Sequence, residues 1–224
     1  MTAPSAEKLT IDVISDVVCP WCWIGKRRLE AALAELVVRE PAVQPFVSWH
    51  PFQLNPDLPR EGISRRAYLE AKFGGAKRSD EIYARVSAAG ETVGIPFAFE
   101  RIVRQPNTRD AHRLISWAQR QGDADALVEQ LFRAYFLDGR LIGDLEVLAA
   151  IAVEAGFDAE AARAFLASDD GDDTIVAMDR RVRELGIGGV PFFIFNERVA
   201  VSGAQEPATL LEAIAESRVS KVIS

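Results

Sequence analysis

The sequence contains few cysteines and histidines, and this scarcity limits the chemistry that it can support. The 224 residues include two cysteines, Cys19 and Cys22, and two histidines, His50 and His112. Secreted proteins that depend on disulfides usually spread more cysteines along the chain, so a disulfide framework is excluded. Both cysteines fall instead in one Cys-Pro-Trp-Cys motif, which indicates redox chemistry or a metal site.

Long apolar runs and dense basic runs are also absent. No segment approaches the roughly 20 apolar residues of a membrane-spanning helix, so no membrane partner is expected. Residues 1–10 are polar and lack the apolar centre of a secretory signal, so the expected location is the cytoplasm. The chain has 26 basic and 33 acidic residues and a net charge of −7. Without clustered positive charge to neutralise phosphates, nucleic acid is excluded as a partner.

The pattern of apolar residues predicts an α/β protein. With 49% hydrophobic and 26% charged residues, the composition is typical of a soluble globular protein with a sizeable core. Strands are predicted over 9–18, 46–54, 192–195 and 198–201; the first is β-branched and is expected to be buried on both faces. Helices are predicted from the motif to about residue 38, and over 64–73, 79–92, 108–121, 124–137, 144–155, 158–167, 170–185 and 206–216.

The helices between the second and third strands suggest an insertion. Without the six predicted helices between residues 64 and 167, the order of elements along the chain is strand, helix, strand, helix, strand, strand, helix. We therefore expect an α/β domain formed by residues 1–62 and 168–224, with an all-helical subdomain inserted over 63–167. Asn107 is predicted to cap one of the inserted helices, with Asp110 three positions later.

The two cysteines lie where a strand meets a helix, and this position gives them different expected roles. Cys19 falls at the helix N-cap, where free backbone N–H groups and the helix dipole favour thiolate and should lower the thiol pKa. Pro20 suits the first helical turn. Cys22 lies one turn later and should be more buried. Cys19 is therefore the predicted nucleophile and Cys22 the thiol that resolves the mixed disulfide.

The motif has two other interpretations. A structural zinc ion needs four ligands, so His50 and His112 would both have to bind it, and their spacing matches no zinc-finger pattern. No metal site is therefore expected. Two buried structural thiols are the second alternative, which the position between strand and helix disfavours.

Val190-Pro191, just before the predicted hairpin, is the second candidate site. It could be an ordinary turn proline. It could also be a cis proline beside the cysteines, with the backbone of Val190 available to an extended peptide or to glutathione. The cysteine motif favours the second interpretation.

Several neighbouring side chains have simpler interpretations. Trp21 is expected to point outward and line a substrate groove with Pro20, whereas Trp23 is expected in the core. His112 is interpreted as a structural histidine and His50 as strand packing or surface. The basic residues Lys26, Arg27 and Arg28 are interpreted as a solvated helix face; the less favoured alternative places one of them near glutathione or the thiolate.

Four segments together resemble the DsbA-like oxidoreductases of the FrnE subgroup, and they extend over nearly the whole chain. They are Ser15–Cys22, Pro106–Arg109 with Ala111–Arg113, Gly189–Phe193, and Val201–Gln205. The resemblance implies a thioredoxin-like fold with a helical insertion, a cis-Pro191 facing the cysteines, and disulfide exchange. Relatives of this kind often carry a buried acid beneath the second cysteine that accepts its proton; Asp12 and Asp16 are the candidates here, and the sequence does not choose between them.

The resemblance also implies partners and one alternative activity. The expected partners are proteins with thiols or disulfides, or glutathione as a co-substrate, with no tightly bound cofactor; a homodimer is one oligomeric state to be tested. The same superfamily contains glutathione-dependent 2-hydroxychromene-2-carboxylate isomerases and kappa-class glutathione transferases. These typically carry serine where Cys19 stands, so the complete cysteine pair favours redox chemistry over isomerase or transferase activity.

Overall fold

The computed structural model describes residues 7–219, apart from the side chain of Ala76. The signal-peptide prediction also concerns residues 1–6, which lie outside this range. The strands are β1 (Glu7–Ser15), β2 (Val43–Pro51), β3 (Ile63–Ser64), β4 (Arg104–Gln105), β5 (Phe192–Phe195) and β6 (Val199–Ser202). The helices are α1 (Pro20–Arg39), α2 (Arg65–Phe73), α3 (Ala76–Glu91), α4 (Arg109–Gln119), α5 (Asp125–Phe136), α6 (Leu145–Glu154), α7 (Ala159–Ala167), α8 (Asp172–Glu184) and α9 (Pro207–Arg218), with a short 3-10 helix at Phe99–Arg101.

A four-stranded mixed sheet forms the centre of the fold. Its strand order is β2-β1-β5-β6, with β1 parallel to β2 and antiparallel to β5, and with β5 antiparallel to β6. In β1, Ile11 pairs with Val47 on one side and with Phe195 on the other. The architecture is therefore mixed α/β, as the sequence predicts.

The first two strands differ from their predicted limits. β1 ends at Ser15, because the chain then turns and the N–H of Cys19 donates to the carbonyl of Asp16 at 2.9 Å. Leu9, Ile11 and Val13 are fully buried, but Thr10 and Asp12 between them are only half-buried. The prediction of burial on both faces is therefore wrong for this half of the strand.

β2 begins at Val43, earlier than predicted, and ends at Pro51. The N–H of Phe52 still bonds the carbonyl of Ser15, but the next two backbone N–H groups donate to carboxylates. These are Asp179 for Gln53 and Asp16 for Leu54. The chain therefore leaves the sheet after Pro51, and the predicted strand residues 52–54 are not part of it.

The segment between β2 and α8 contains six helices, α2 to α7, close to the predicted ranges. It is not wholly helical, because β3 and β4 form a short antiparallel ladder. The larger hydrophobic core runs from the sheet into this segment, since Trp23 of α1 stacks on Phe132 and Phe136 of α5. The division into 1–62 with 168–224 and an inserted 63–167 stays a prediction.

The start of α4 corrects one capping prediction. Thr108 occupies the N-cap, and Asn107 lies before it and accepts a hydrogen bond from the N–H of Arg109. Asp110 does not complete a capping box, because its carboxylate binds Arg60 and Arg113. Within residues 7–219, no helix has the length and apolar character needed to cross a membrane.

Candidate active site

The N-terminus of α1 positions the first cysteine. Cys19 is the N-cap residue with an extended backbone, and Pro20 follows at the first helical position. The sulfur makes no hydrogen bond to the first backbone N–H groups of the helix; its S–H donates instead to the carbonyl of Val190 at 3.6 Å. The structure therefore brings Cys19 and the Val190-Pro191 segment together across 171 positions of sequence.

Cys22 lies one helical turn further into the protein. Its residue exposure is 1%, against 5% for Cys19, as the motif predicts. Burial is the largest cause that raises the pKa of the Cys22 thiol well above its usual value, and the hydrogen bond and charge of Cys19 raise it further. The backbone N–H of Asp16 and the hydroxyl of Ser15 lower it in part. Cys22 therefore remains a protonated thiol when Cys19 carries charge.

The Val190-Pro191 peptide bond is cis, in agreement with the second interpretation of this proline. The carbonyl of Pro191 accepts a hydrogen bond from the N–H of Gly203, which fixes the loop to the end of β6. Val190 is half-buried beside Cys19, and its N–H has no hydrogen-bond partner in the described part of the chain. One backbone donor beside Cys19 is thus available to a ligand.

Gly25 permits the close approach of α1 to this loop, and sequence reasoning missed it. A Cβ at Gly25 would lie 2.9 Å from Cγ of Pro191 and 3.1 Å from Cζ of Phe193. Glycine inside a helix is unfavourable by about 1 kcal/mol relative to alanine, so its presence here points to a packing requirement. That anomaly, three residues after Cys22, is the signal that could have identified it.

The aromatic residues of the motif lie as predicted. Trp21 is 40% exposed beside Cys19, and Pro20 is half-buried. Trp23 is buried in the core. Close to Cys19 in the chain, Trp21 is therefore exposed, while the Cys19 sulfur itself contacts the carbonyl of Val190.

The basic residues after the motif do not form the predicted solvated face. Lys26 is buried, and its Nζ binds Glu30 and lies 2.8 Å from Asp125 and 3.6 Å from Glu129. Burial favours a lower pKa for Lys26, but these carboxylates outweigh it and raise the pKa. The prediction for Lys26 is therefore wrong, because acids of α5 provide the countercharge that permits its burial.

Arg27 and Arg28 also have fixed partners. Arg27 binds Glu129 and Glu30, and Arg28 binds Glu206 and the carbonyl of Ala204. These contacts tie α1 to α5 and to the start of α9. The charged groups of these three basic residues bind carboxylates and a backbone carbonyl and not the cysteine sulfurs.

The two acids considered as neighbours of Cys22 differ in burial and in their contacts. Asp12 is partly exposed and lies 2.8 Å from Nε2 of His50. Asp16 is wholly buried, its Oδ2 accepts the N–H of Leu54 at 2.8 Å, and its backbone N–H reaches the Cys22 sulfur. Asp16 is therefore the acid beside the second cysteine.

His112 is buried, and its Nε2 lies 3.3 Å from Oδ1 of Asp16. This contact places it next to the acid beside Cys22, which the structural interpretation of His112 did not anticipate. Within residues 7–219, no group of three or more His, Cys, Asp or Glu side chains is arranged to hold a metal ion.

Comparison with known proteins supports the family suggested by these motifs. The family model for the DSBA-like thioredoxin domain matches residues 10–215. The chain belongs to this family. The resemblance is thereby confirmed, and the thioredoxin-like fold of the DsbA type with it.

A solved structure of a probable DsbA oxidoreductase from Streptomyces coelicolor is similar over 96% of this chain and 93% of its own. It has 30% sequence identity and a TM-score of 0.83. YwbO from Bacillus subtilis, an uncharacterized protein, is 26% identical over 216 residues, which are 94% of this chain and 98% of YwbO. The cytosolic disulfide reductase DsbM from Pseudomonas aeruginosa, at 18% identity and a TM-score of 0.61 over 93% of this chain and 95% of its own, shares the fold. DsbM has also been solved with GSH.

Proposed function

We propose that this DSBA-like protein is a thiol–disulfide oxidoreductase that exchanges disulfides with protein or small-thiol substrates through Cys19 and Cys22. The observation that carries the proposal is the unequal placement of the two thiols on one helical turn. Cys19 lies at the helix start opposite Val190, whereas Cys22 is enclosed and has a raised pKa. Because of this difference, we assign the attack on the substrate to Cys19 and the resolution of the mixed disulfide to Cys22.

The exchange takes place in two steps that balance. The thiolate of Cys19 attacks a substrate disulfide, forms a mixed disulfide and releases one substrate thiolate. Cys22 then attacks the Cys19 sulfur, which forms the Cys19–Cys22 disulfide, and the Cys22 proton leaves with the second substrate sulfur, which is released as a thiol. Cys19 is close enough to Cys22 to raise the pKa of its thiol, so the second attack requires little rearrangement. Run in reverse, the same steps oxidise a substrate dithiol.

In this proposal the surface beside Cys19 supplies the substrate contacts. The unpartnered N–H of Val190 can donate to the backbone of an extended substrate, while cis-Pro191 holds that segment in place. The exposed face of Trp21 offers apolar contact on the other side. Pro20, Trp21, Val190 and Pro191 are therefore our proposed substrate-binding residues, and Cys19 and Cys22 the catalytic ones.

Glutathione is our candidate small-thiol partner. A peptide-like thiol fits a site with a reactive cysteine and one adjacent backbone donor, and DsbM, which shares the fold, has been solved with GSH. A cytoplasmic location and use of glutathione as co-substrate without a tightly bound cofactor are parts of the same proposal. A homodimer stays a prediction for measurement in solution.

Paired serine variants test the proposal. Insulin reduction and oxidative refolding of a reduced substrate protein should both fall at least about 100-fold in Cys19→Ser, because no nucleophile remains. Cys22→Ser, the matched control in the same motif, should still react at Cys19 but accumulate a mixed disulfide visible by mass spectrometry.

Two results would contradict the proposal. One is that Cys19→Ser leaves both activities unchanged. The other is saturable glutathione binding together with turnover of an aromatic substrate that survives Cys22→Ser. The second result would establish the glutathione-dependent isomerase or transferase alternative.

A further inference from the structure

A pocket in the segment between β2 and α8 lies against α2, α3 and the short 3-10 helix. Its volume is about 620 Å³. Pockets of about 300–1,000 Å³ are usual for small-molecule sites. All of the residues that line it fall between Arg65 and Ile102, so the cysteine motif and the cis-Pro191 loop contribute nothing to it. The pocket is therefore separate from the site at Cys19.

Two stacked aromatic rings form one wall of this pocket. Tyr83 of α3 and Phe99 lie with ring centroids 4.3 Å apart, and both residues are half-buried. Phe99 in turn stacks on Phe97 at 4.9 Å, which fixes the wall to the hydrophobic core. Aromatic rings attract a further ring in offset or edge-on contact. The wall therefore favours a ligand with an aromatic ring.

Arg65, at the start of α2, supplies a cation beside this wall. Its guanidinium lies over the rings of Tyr68 and Tyr83, at 5.3 and 5.2 Å from their centroids. It donates to the hydroxyl of Tyr83 at 2.6 Å, to the hydroxyl of Tyr135 at 3.4 Å, and to Oε1 of Gln105. Burial raises the pKa of both Tyr83 and Tyr135, so these phenols stay neutral. The groups that bind Arg65 therefore carry no negative charge.

The lack of a carboxylate partner sets Arg65 apart. The half-buried Arg27 and Arg28 bind Glu129 and Glu206, but among residues 7–219 no carboxylate lies within ion-pair distance of Arg65. Its Nε–H also has no hydrogen-bond partner in that range. A guanidinium removed from water is normally paired with an acid, and its planar N–H groups match a carboxylate. Arg65 is therefore suited to bind the carboxylate of a ligand.

The rim of the pocket carries negative charge. Glu70, Asp80 and Glu100 are exposed there, and none of them forms an ion pair within the described part of the chain. These acids would repel a phosphate or a dicarboxylate, because such ligands bring two negative charges close to them. They would attract an ammonium group. The charges around the pocket therefore match a ligand that carries one charge of each sign.

We propose that this pocket binds a small aromatic zwitterion, either an aromatic amino acid or a dipeptide that ends in one. The ligand carboxylate pairs with Arg65, the ring packs on Tyr83 and Phe99, and the ammonium group faces the acidic rim. Binding involves no covalent step and does not depend on the proposed disulfide exchange. The site is thus an additional function of the segment between β2 and α8.

Isothermal titration of the full-length protein tests the ligand class with three probes that share one skeleton. L-Phenylalanine carries both charges, 3-phenylpropionate lacks the ammonium group, and phenethylamine lacks the carboxylate. L-Phenylalanine should bind saturably with one site per chain. Each analogue should bind at least about tenfold more weakly, because one charged contact is lost. Alanylphenylalanine, as a fourth probe, shows whether the dipeptide or the free amino acid is preferred.

Ala84→Trp tests the location of the site. Ala84 is exposed and lines the pocket, so an indole at this position can fill the pocket without entering the core. We expect L-phenylalanine to bind this variant at least about tenfold more weakly. Ala88→Trp is the matched control, because Ala88 is also exposed on α3 and does not line the pocket. Both variants should reduce insulin at the wild-type rate, which verifies their fold.

Charge variants test the two ends of the ligand. Arg65→Gln should weaken L-phenylalanine and 3-phenylpropionate at least about tenfold and leave phenethylamine unchanged. Arg78→Gln, at an exposed position outside the pocket, is its control. The triple variant Glu70→Gln, Asp80→Asn, Glu100→Gln should weaken L-phenylalanine but strengthen 3-phenylpropionate. Local unfolding would weaken both probes, so the opposite signs identify the charge effect.

Three results would overturn the proposal. The first is no saturable binding of L-phenylalanine or alanylphenylalanine up to about 10 mM, well above the roughly 1 mM limit of ordinary metabolite sites. The second is binding that Ala84→Trp does not weaken, and the third is tighter binding of 3-phenylpropionate than of L-phenylalanine. If Arg65→Gln does not fold, Ala84→Trp decides the question. A wild-type protein that binds L-phenylalanine and fails to reduce insulin would refute the proposed function alone.

Discussion

Replacement of Gly25 by alanine tests how closely α1 must approach the cis-Pro191 loop. The added Cβ would lie 2.9 Å from Cγ of Pro191 and 3.1 Å from Cζ of Phe193, inside the optimal carbon–carbon separation of about 3.5–4.0 Å. Overpacking of this kind typically costs about 1–3 kcal/mol. Alanine recovers about 1 kcal/mol over glycine in a helix interior. We therefore expect Gly25→Ala to lower the free energy of unfolding by about 0–2 kcal/mol.

The larger effect should be on activity, because the displaced proline ring belongs to the loop that contacts Cys19. A misplacement of about 1 Å in an active site can cost about 100-fold in rate, so a smaller shift should reduce disulfide exchange about tenfold. Urea unfolding and insulin reduction measure the two effects. Gly188→Ala is the control, since no atom lies within 4 Å of its added Cβ; it should keep full activity and gain at most about 1 kcal/mol. A Gly25→Ala protein as stable and as active as Gly188→Ala would refute the close-packing argument.

Two further predictions concern ion pairs. Lys26→Met should lower the free energy of unfolding by about 2 kcal/mol and the Tm by about 6 °C, because Asp125, Glu129 and Glu30 lose their shared cation. Calorimetry measures the loss, and the control Lys77→Met, at an exposed position, should not show it. Hydrogen bonds from Arg218 lower the pKa of Glu7 and of Glu40 below their ordinary value of 4.5. The resulting stability is present above about pH 4.5 and is lost as the pH falls through the lowered values, because the unfolded chain then binds more protons. Arg218→Met should show a shallower fall of the urea midpoint across this range; an equally steep fall would contradict the prediction.

Local sequence patterns are sufficient to predict much of the fold. The β-branched run, the cysteine motif with Pro20, and the apolar periodicity after it predict a strand, a turn and a helix at nearly the observed positions. Both strands of the final hairpin are predicted to within one residue of their observed limits. Asn196 and Glu197, at the predicted turn, adopt the left-handed backbone that a tight turn between two short strands requires. The family resemblance also related the cysteines to Pro191, although only the fold brings the Cys19 sulfur within 3.6 Å of the Val190 carbonyl.

The errors arise where a residue depends on a distant partner. Lys26 belongs to a basic run that resembles a solvated face, yet it is buried, because its countercharges come from α5 about 100 positions later. Arg65, Tyr83 and Phe99 each look ordinary in sequence: a basic residue at a helix start, an aromatic helix residue and an aromatic residue in a predicted loop. They meet only because α2 packs against α3 and Tyr83 stacks on Phe99. What distinguishes Arg65 is that its guanidinium binds neutral oxygens and no carboxylate among residues 7–219, a property of the packed protein that no single segment carries.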